Sequence, residues 1–165
     1  VSGRPGRGSR IRSPAAGRPG VAGLPEGVRE LDHTADVGVE ITAPDAATLF
    51  DRAARALRSL AVPGVAGSAR PADAEEAHTH TLELAAADVA ALLVRWLSEL
   101  LYRIDALGLA YDSADIEIEQ ATVRARLRET RLPEPGAHIK AVTYHGLACG
   151  PRPDGSWRAR VIFDV

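Results

Sequence analysis

The sequence predicts an α+β fold: a single two-layer domain in which two helices pack on a largely antiparallel β-sheet. Three observations carry this reading. The chain has 165 residues, 45% of them hydrophobic, which is enough for one packed core and little beyond it. Two segments repeat apolar residues at helical spacing, and several short runs alternate apolar with polar residues as half-buried strands do. Only 4% of residues are aromatic, so Leu, Val, Ile and Ala must fill the core.

Residues 1–27 stand apart, because 19 of the 27 are Gly, Pro, Arg or Ser. Such a stretch buries too little apolar area to offset its ordering entropy and is expected to be a disordered basic tail. It has no apolar segment of the kind that drives secretion. It reads either as a tail that touches RNA or a partner, or as a start codon assigned too far upstream, which would also account for Val at position 1. The folded part is expected to span residues 28–165.

Val28–His33 and Val37–Thr42 read as two strands joined around Thr34-Ala35. Pro44 and Asp45 then open a helix to about Ala61, with Leu49, Ala53, Ala56, Leu57 and Leu60 on one face and Pro63-Gly64 ending it. Thr79, Thr81 and Glu83 alternate with His80, Leu82 and Leu84 as a strand. Asp88 is a suitable N-cap for a second helix over Val89–Ala106. Its broad stripe of Leu92, Leu93, Trp96, Leu97, Leu100, Leu101 and Ile104 suits burial against a sheet, and Gly108 closes it.

The last third is strand-like. A turn at Gln120-Ala121 would set Glu117 opposite Arg124 and Asp115 opposite Arg126, so the row Arg124, Arg126, Arg128 is expected to be neutralised within its own sheet. A final hairpin pairs His138–Ala148 with Ser156–Val165. Folding it about Arg152 sets Leu147 against Trp157, Thr143 against Val161, Ala141 against Phe163 and Lys140 across from Asp164.

Charge narrows the partner class. The net charge is −2, yet residues 1–25 hold five arginines and no acid, leaving 22 acids against 15 bases in the rest, a net −7. An acidic body repels a phosphate backbone, whose binding depends on Lys and Arg displacing counterions, so a basic protein surface is the better partner. Nineteen of the 20 basic residues are Arg, and the single Lys is Lys140. It marks either chance survival in a GC-rich genome or a position that needs a compact point charge. No apolar run approaches the roughly 20 residues of a bilayer span, so neither a membrane helix nor a membrane partner is expected, and the chain reads as cytoplasmic.

Single Cys149 excludes an internal disulfide framework and is expected to be a free thiol. His78 and His80 share one strand face, but the sequence offers no third metal ligand nearby. Neither a P-loop nor a nucleophile elbow is present. The more coherent group is Asp36, Lys140, Asp164 and the terminal carboxylate of Val165. If the first and last strands lie close, three hard oxygen donors converge beside Gly38, a set that suits Ca²⁺ or Mg²⁺ rather than Zn²⁺. Two surface ion pairs would explain the same residues.

Three blocks then resemble a known family. HTADVGVEI at His33–Ile41, VRWLSELLYRID at Val94–Asp105, and IKAVTYH at Ile139–His145 with the closing GSWRARVIFDV stand in the order found in archeases. The resemblance covers about Leu31 to Val165. It implies a small α+β protein that acts with the RtcB-type RNA ligase in tRNA splicing and RNA repair. Such a protein promotes the ligase's GTP-dependent guanylylation and its return to multiple turnover, meets RNA only through the ligase, and is no catalyst itself. On the matching motifs the metal-binding residues fall on Asp36, Asp164 and Val165, and the functional lysine on Lys140. Ca²⁺ is the cation expected, with Mg²⁺ or Mn²⁺ as alternatives. Two rival readings are a general chaperone or protein-binding module, and a stand-alone metal-dependent phosphohydrolase using His33 or His145 as base.

Overall fold

Capping sets the helix boundaries. In the computed structural model, which describes residues 23–31, 36–62, 78–134 and 136–165, the Asp45 carboxylate accepts the Thr48 N–H at 2.7 Å and opens helix α1, Ala46–Ala61. Asp88 accepts the Ala91 N–H at 2.8 Å and opens α2, Val89–Leu107. Gly108, at φ 64° and ψ 33°, turns the chain out of α2 in the left-handed conformation that only glycine adopts without steric cost. Pro63-Gly64 and residues 1–22 lie outside the described residues.

The strands are β1 Val28–Leu31, β2 Val37–Ala43, β3 His78–Ala85, β4 Leu109–Glu119, β5 Thr122–Arg131, β6 Ala141–Pro151 and β7 Trp157–Asp164. All pair antiparallel, in two sheets ordered β1-β2-β7-β6 and β3-β5-β4. The α+β arrangement with two helices on antiparallel strands is as the sequence predicts, with the strands divided between two sheets. α1 packs on β2 and β4, and α2 packs on β6 and β4, so the helices tie the sheets together. The described chain begins inside the expected tail: Leu24 packs on the core and the Gly27 carbonyl accepts the Thr42 N–H at 2.8 Å.

Every residue assigned from the sequence to the two helical apolar faces is buried. Trp96 lies at the centre, its indole N–H donating to the Phe50 carbonyl at 3.2 Å and its ring edge-on to Tyr111 at 6.2 Å. The Tyr111 hydroxyl donates to Asp51 at 2.6 Å, and burial together with that carboxylate raises its pKa. Arg103 of α2 makes a two-pronged pair with the fully buried Glu129 of β5, both bonds 2.6 Å.

The β4–β5 hairpin has the expected register, with Asp115 opposite Arg126 and Glu117 opposite Arg124. The side chains choose other partners: Arg128 donates to Asp115 on the diagonal at 3.0 Å, and Arg124 donates at 3.0 Å to Glu83, directly opposite it on β3.

The β6–β7 register corrects the sequence reading. Asp154 accepts the Ser156 N–H at 2.9 Å and Arg152 donates to the Ser156 carbonyl at 2.7 Å, so the turn centres on Asp154 and Pro151 meets Trp157. Between Thr143 and Ala148 β6 advances five residues against two of β7, leaving three in a bulge. That odd number reverses which residues face the helices. At the far end Val142 meets Phe163 and Ala141 meets Asp164, so Leu147–Trp157, Thr143–Val161, Ala141–Phe163 and Lys140–Asp164 are not the pairs formed. Gly146, at φ 59°, lets the bulge fold over the outer face: a Cβ there would come 3.3 Å from Ile162 Cδ1, and Ile162 is fully buried.

Two predictions follow from these contacts. Glu129→Gln leaves the buried Arg103 guanidinium with only the more distant Glu99, at 3.7 Å, as counter-charge and should cost about 3–5 kcal/mol in urea unfolding, whereas Arg103→Met with Glu129→Leu should recover most of it. An unchanged single variant would show that the pair carries no stability. Glu40 is bonded by Arg158 of β7 and Arg29 of β1, and these, Arg158 foremost, hold its carboxyl below the usual carboxylate value against the opposing effect of burial. A depressed carboxylate stabilises the fold above its ordinary pKa and loses that contribution as pH falls through the depressed value. The melting temperatures of wild type and Glu40→Gln should therefore differ by a constant amount at neutral pH and converge as the solution is acidified below the usual carboxylate range.

Candidate functional site

The end of the four-stranded sheet is assembled by register alone. β2 and β7 pair Val39 with Val161, Gly38 with Ile162 and Val37 with Phe163. Asp36 directly precedes β2 and Asp164 is the last residue of β7, so the two stand at the same end of the sheet, just beyond the Val37–Phe163 pair. On the other flank of β7, Ala141 pairs with Asp164, and the Lys140 N–H donates to the Asp164 carbonyl at 2.8 Å. The Lys140 ammonium donates to the Val165 carbonyl oxygen at 3.0 Å.

Asp36, Lys140, Asp164 and Val165 all belong to this end of the sheet, where the lysine bonds Val165 rather than Asp164. The reason is the bulge, which moves Lys140 one position along β7 and onto the helix-facing side. Asp164, Lys140 and Val165 are exposed and Asp36 is half-buried, so their charges keep much of their hydration.

Two carboxylates at one end of a sheet repel one another, and Lys140 supplies one positive charge against them. A hard cation between Asp36 and Asp164 would relieve the rest. The donors are all oxygen, a set that suits Ca²⁺, Mg²⁺ or Mn²⁺ and not Zn²⁺. Among the described residues no group of three or more His, Cys, Asp and Glu side chains gathers anywhere, so further donors must come from main-chain oxygen or water. The Val165 oxygen is one such donor, and Lys140 holds it in this arrangement.

The other candidates separate from this site. His145 is exposed in the bulge, and His33 lies outside the described residues. His78 and His80 are exposed on β3, with Arg131 bonded to the His78 ring at 3.2 Å. Cys149 is a free, half-buried thiol whose pKa burial, aided by Asp88, pushes up to about 12, so at neutral pH it is a protonated and poor nucleophile. The sequence reading missed the bulge and the exposed Tyr144 it displays. Gly146 inside an otherwise alternating run was the available signal. Among the described residues no helix is long and apolar enough to cross a membrane.

The model of the Archease protein family (MTH1598/TM1083) matches residues 29–165. The chain is 31% identical over 144 residues to protein archease of Archaeoglobus fulgidus, covering 83% of this chain and 98% of that one. It is 29% identical over 142 residues to protein archease of Pyrococcus furiosus, covering 81% and 95%. Among solved structures, Methanobacterium thermoautotrophicum protein 1598 superposes with a TM-score of 0.61 at 26% identity, over 84% of this chain and 99% of that one. A Thermotoga maritima archease described as a possible chaperone shares the fold, with a TM-score of 0.57 at 22% identity over 83% and 96%. With the family match running from Arg29 through the sheet end that carries Asp36, Lys140 and Asp164, the chain belongs to the archease family.

Proposed function

We propose that this protein is the cofactor of an RtcB-type RNA ligase in tRNA splicing and RNA repair, promoting the ligase's GTP-dependent guanylylation and its multiple turnover. Family membership supports a cofactor role in general. What supports the finer reading is the placement of Asp36, Asp164 and Lys140 at one end of the sheet, with Lys140 bonded to Val165.

Asp36, Asp164 and Val165 would hold the divalent cation, Ca²⁺ in preference to Mg²⁺ or Mn²⁺. When bound, such a cation supplies stabilisation of phosphate charge. Lys140 carries a compact ammonium on a flexible stem, so it can leave the Val165 oxygen and meet a phosphate as a point charge. Gly38 leaves the outer face beside the acids without a side chain. The site lies at the surface, which suits an element that completes a partner's active site in the cytoplasm and meets RNA only through that partner. On this reading the chain performs no catalytic step of its own.

The test is multiple-turnover RNA joining by an RtcB-type ligase from the same source, with GTP and divalent metal. Wild type should raise the turnover, and Asp36→Ala, Lys140→Ala and Asp164→Ala should each return it to the level of the ligase alone with an unchanged melting temperature. Full stimulation by all three variants would sink the proposal. Residues appended after Val165 alter the chemistry of its carboxyl group and should weaken stimulation without unfolding the sheet. Phosphate release by the protein alone would favour the hydrolase reading, and client protection that survives Asp36→Ala would favour the chaperone reading.

A further inference from the structure

α2 and β6 do not close fully on one another. Two adjoining cavities of about 490 and 340 Å³ run between them and share Ser98 and Val142. The first extends past Tyr102 and Asp105 to Lys140, and the second past Tyr144 to Arg95 and Glu99. Together they form an open groove that leads along the helix to the candidate site.

The groove holds the molecule's most exposed aromatic surface. Among the described residues the exposed large hydrophobic side chains are Tyr102, Leu107, Tyr144 and Val165, at 55, 40, 63 and 41%. Tyr102 and Tyr144 line the groove, and Val165 accepts the bond from Lys140 at its end. An apolar ring with a polar tip, presented over an apolar floor, is what protein interfaces use as anchors. Tyr144 stands there because the β6 bulge pushes it out, at the cost of three residues of regular pairing.

Charge selects the occupant. Arg95 is bonded to the Ala85 carbonyl, Glu99 pairs with Arg103 at 3.7 Å and Lys140 is on Val165. Asp105 has no side-chain partner among the described residues, so the groove offers a negative charge to a visitor. With a body at net −7 outside residues 1–25, a nucleic-acid strand is disfavoured and a basic polypeptide favoured.

We infer that the α2–β6 groove is the docking surface for a protein partner: it takes a segment with apolar anchors against Tyr102 and Tyr144 and a basic side chain against Asp105. Resting on the ligase reading above, that segment belongs to the ligase. Because the groove ends at Lys140, docking there brings the sheet end that carries Asp36 and Asp164 close to the partner. The groove supplies affinity and the sheet end supplies stimulation.

The experiment measures the Kd of the full chain for the ligase alongside the protein concentration giving half-maximal stimulation. Tyr102→Ala and Tyr144→Ala, both at exposed positions, should keep the wild-type melting temperature. Each should raise both quantities at least about tenfold while the maximum at saturation stays unchanged. Asp105→Asn should weaken binding by a few-fold and flatten its salt dependence. Asp36→Ala should show the reverse pattern, with Kd kept and the maximum lost. If wild type binds and stimulates but both tyrosine variants match it, the groove inference falls and the ligase reading stands. If wild type neither binds nor stimulates, the ligase reading falls and takes the groove with it. Self-association lost in Tyr144→Ala while ligase binding persists, or tight RNA binding lost in the same variant, would overturn the inference in favour of a second copy or of RNA.

Discussion

β7 lies between β2 and β6, and its register is held by packing rather than by its own turn. Val161 and Phe163 are fully buried on the helix side, Ile162 is fully buried on the outer face, and Gly38 stands beside it on β2. A slip of one residue would drive Asp164 into the core and expose Phe163, an exchange worth several kcal/mol in lost burial alone. The same constraint holds Asp164 at the end of the sheet and brings Lys140 to Val165. The candidate site is therefore a by-product of core packing several ångströms away, which is why an exposed and highly charged group of side chains can still have a defined geometry.

α2 supports this arrangement in two ways. One side buries Leu92, Leu93, Trp96, Leu97 and Leu100, and Arg103 anchors it to Glu129 of the second sheet with charge-assisted bonds. Another presents Ser98, Tyr102 and Asp105 towards β6, where the packing is left open. A helix clamped along its core side can expose aromatic rings beside it without losing its position. Rigid support and an unfilled edge thus belong to one element, and they meet the acidic sheet end at Lys140.

The parts legible in the sequence were those governed by local chemistry. Asp45, Asp88 and Gly108 mark helix ends because capping involves neighbours three or four residues away. The β4–β5 register followed from a two-residue turn joining runs whose charges match across the strands. The β6–β7 register did not follow. Its turn is organised by the Asp154 carboxylate rather than by Arg152, and three residues of β6 leave the ladder at the bulge. The ionic contacts show the same divide: Arg124 chose Glu83 on a third strand, which no pairwise reading of a hairpin contains.

The sequence by itself determined the fold class, the helix limits and the acidic body, because periodicity, caps and charge are written in the order of residues. Only the tertiary structure decided that the strands split into two sheets, that Lys140 bonds Val165 instead of Asp164, and that Tyr102 and Tyr144 flank one groove. These depend on which surfaces pack together across long separations. A bulge of three residues changes the facing of a whole strand, and nothing in local propensity says where the chain will give up three residues of pairing to bury Ile162.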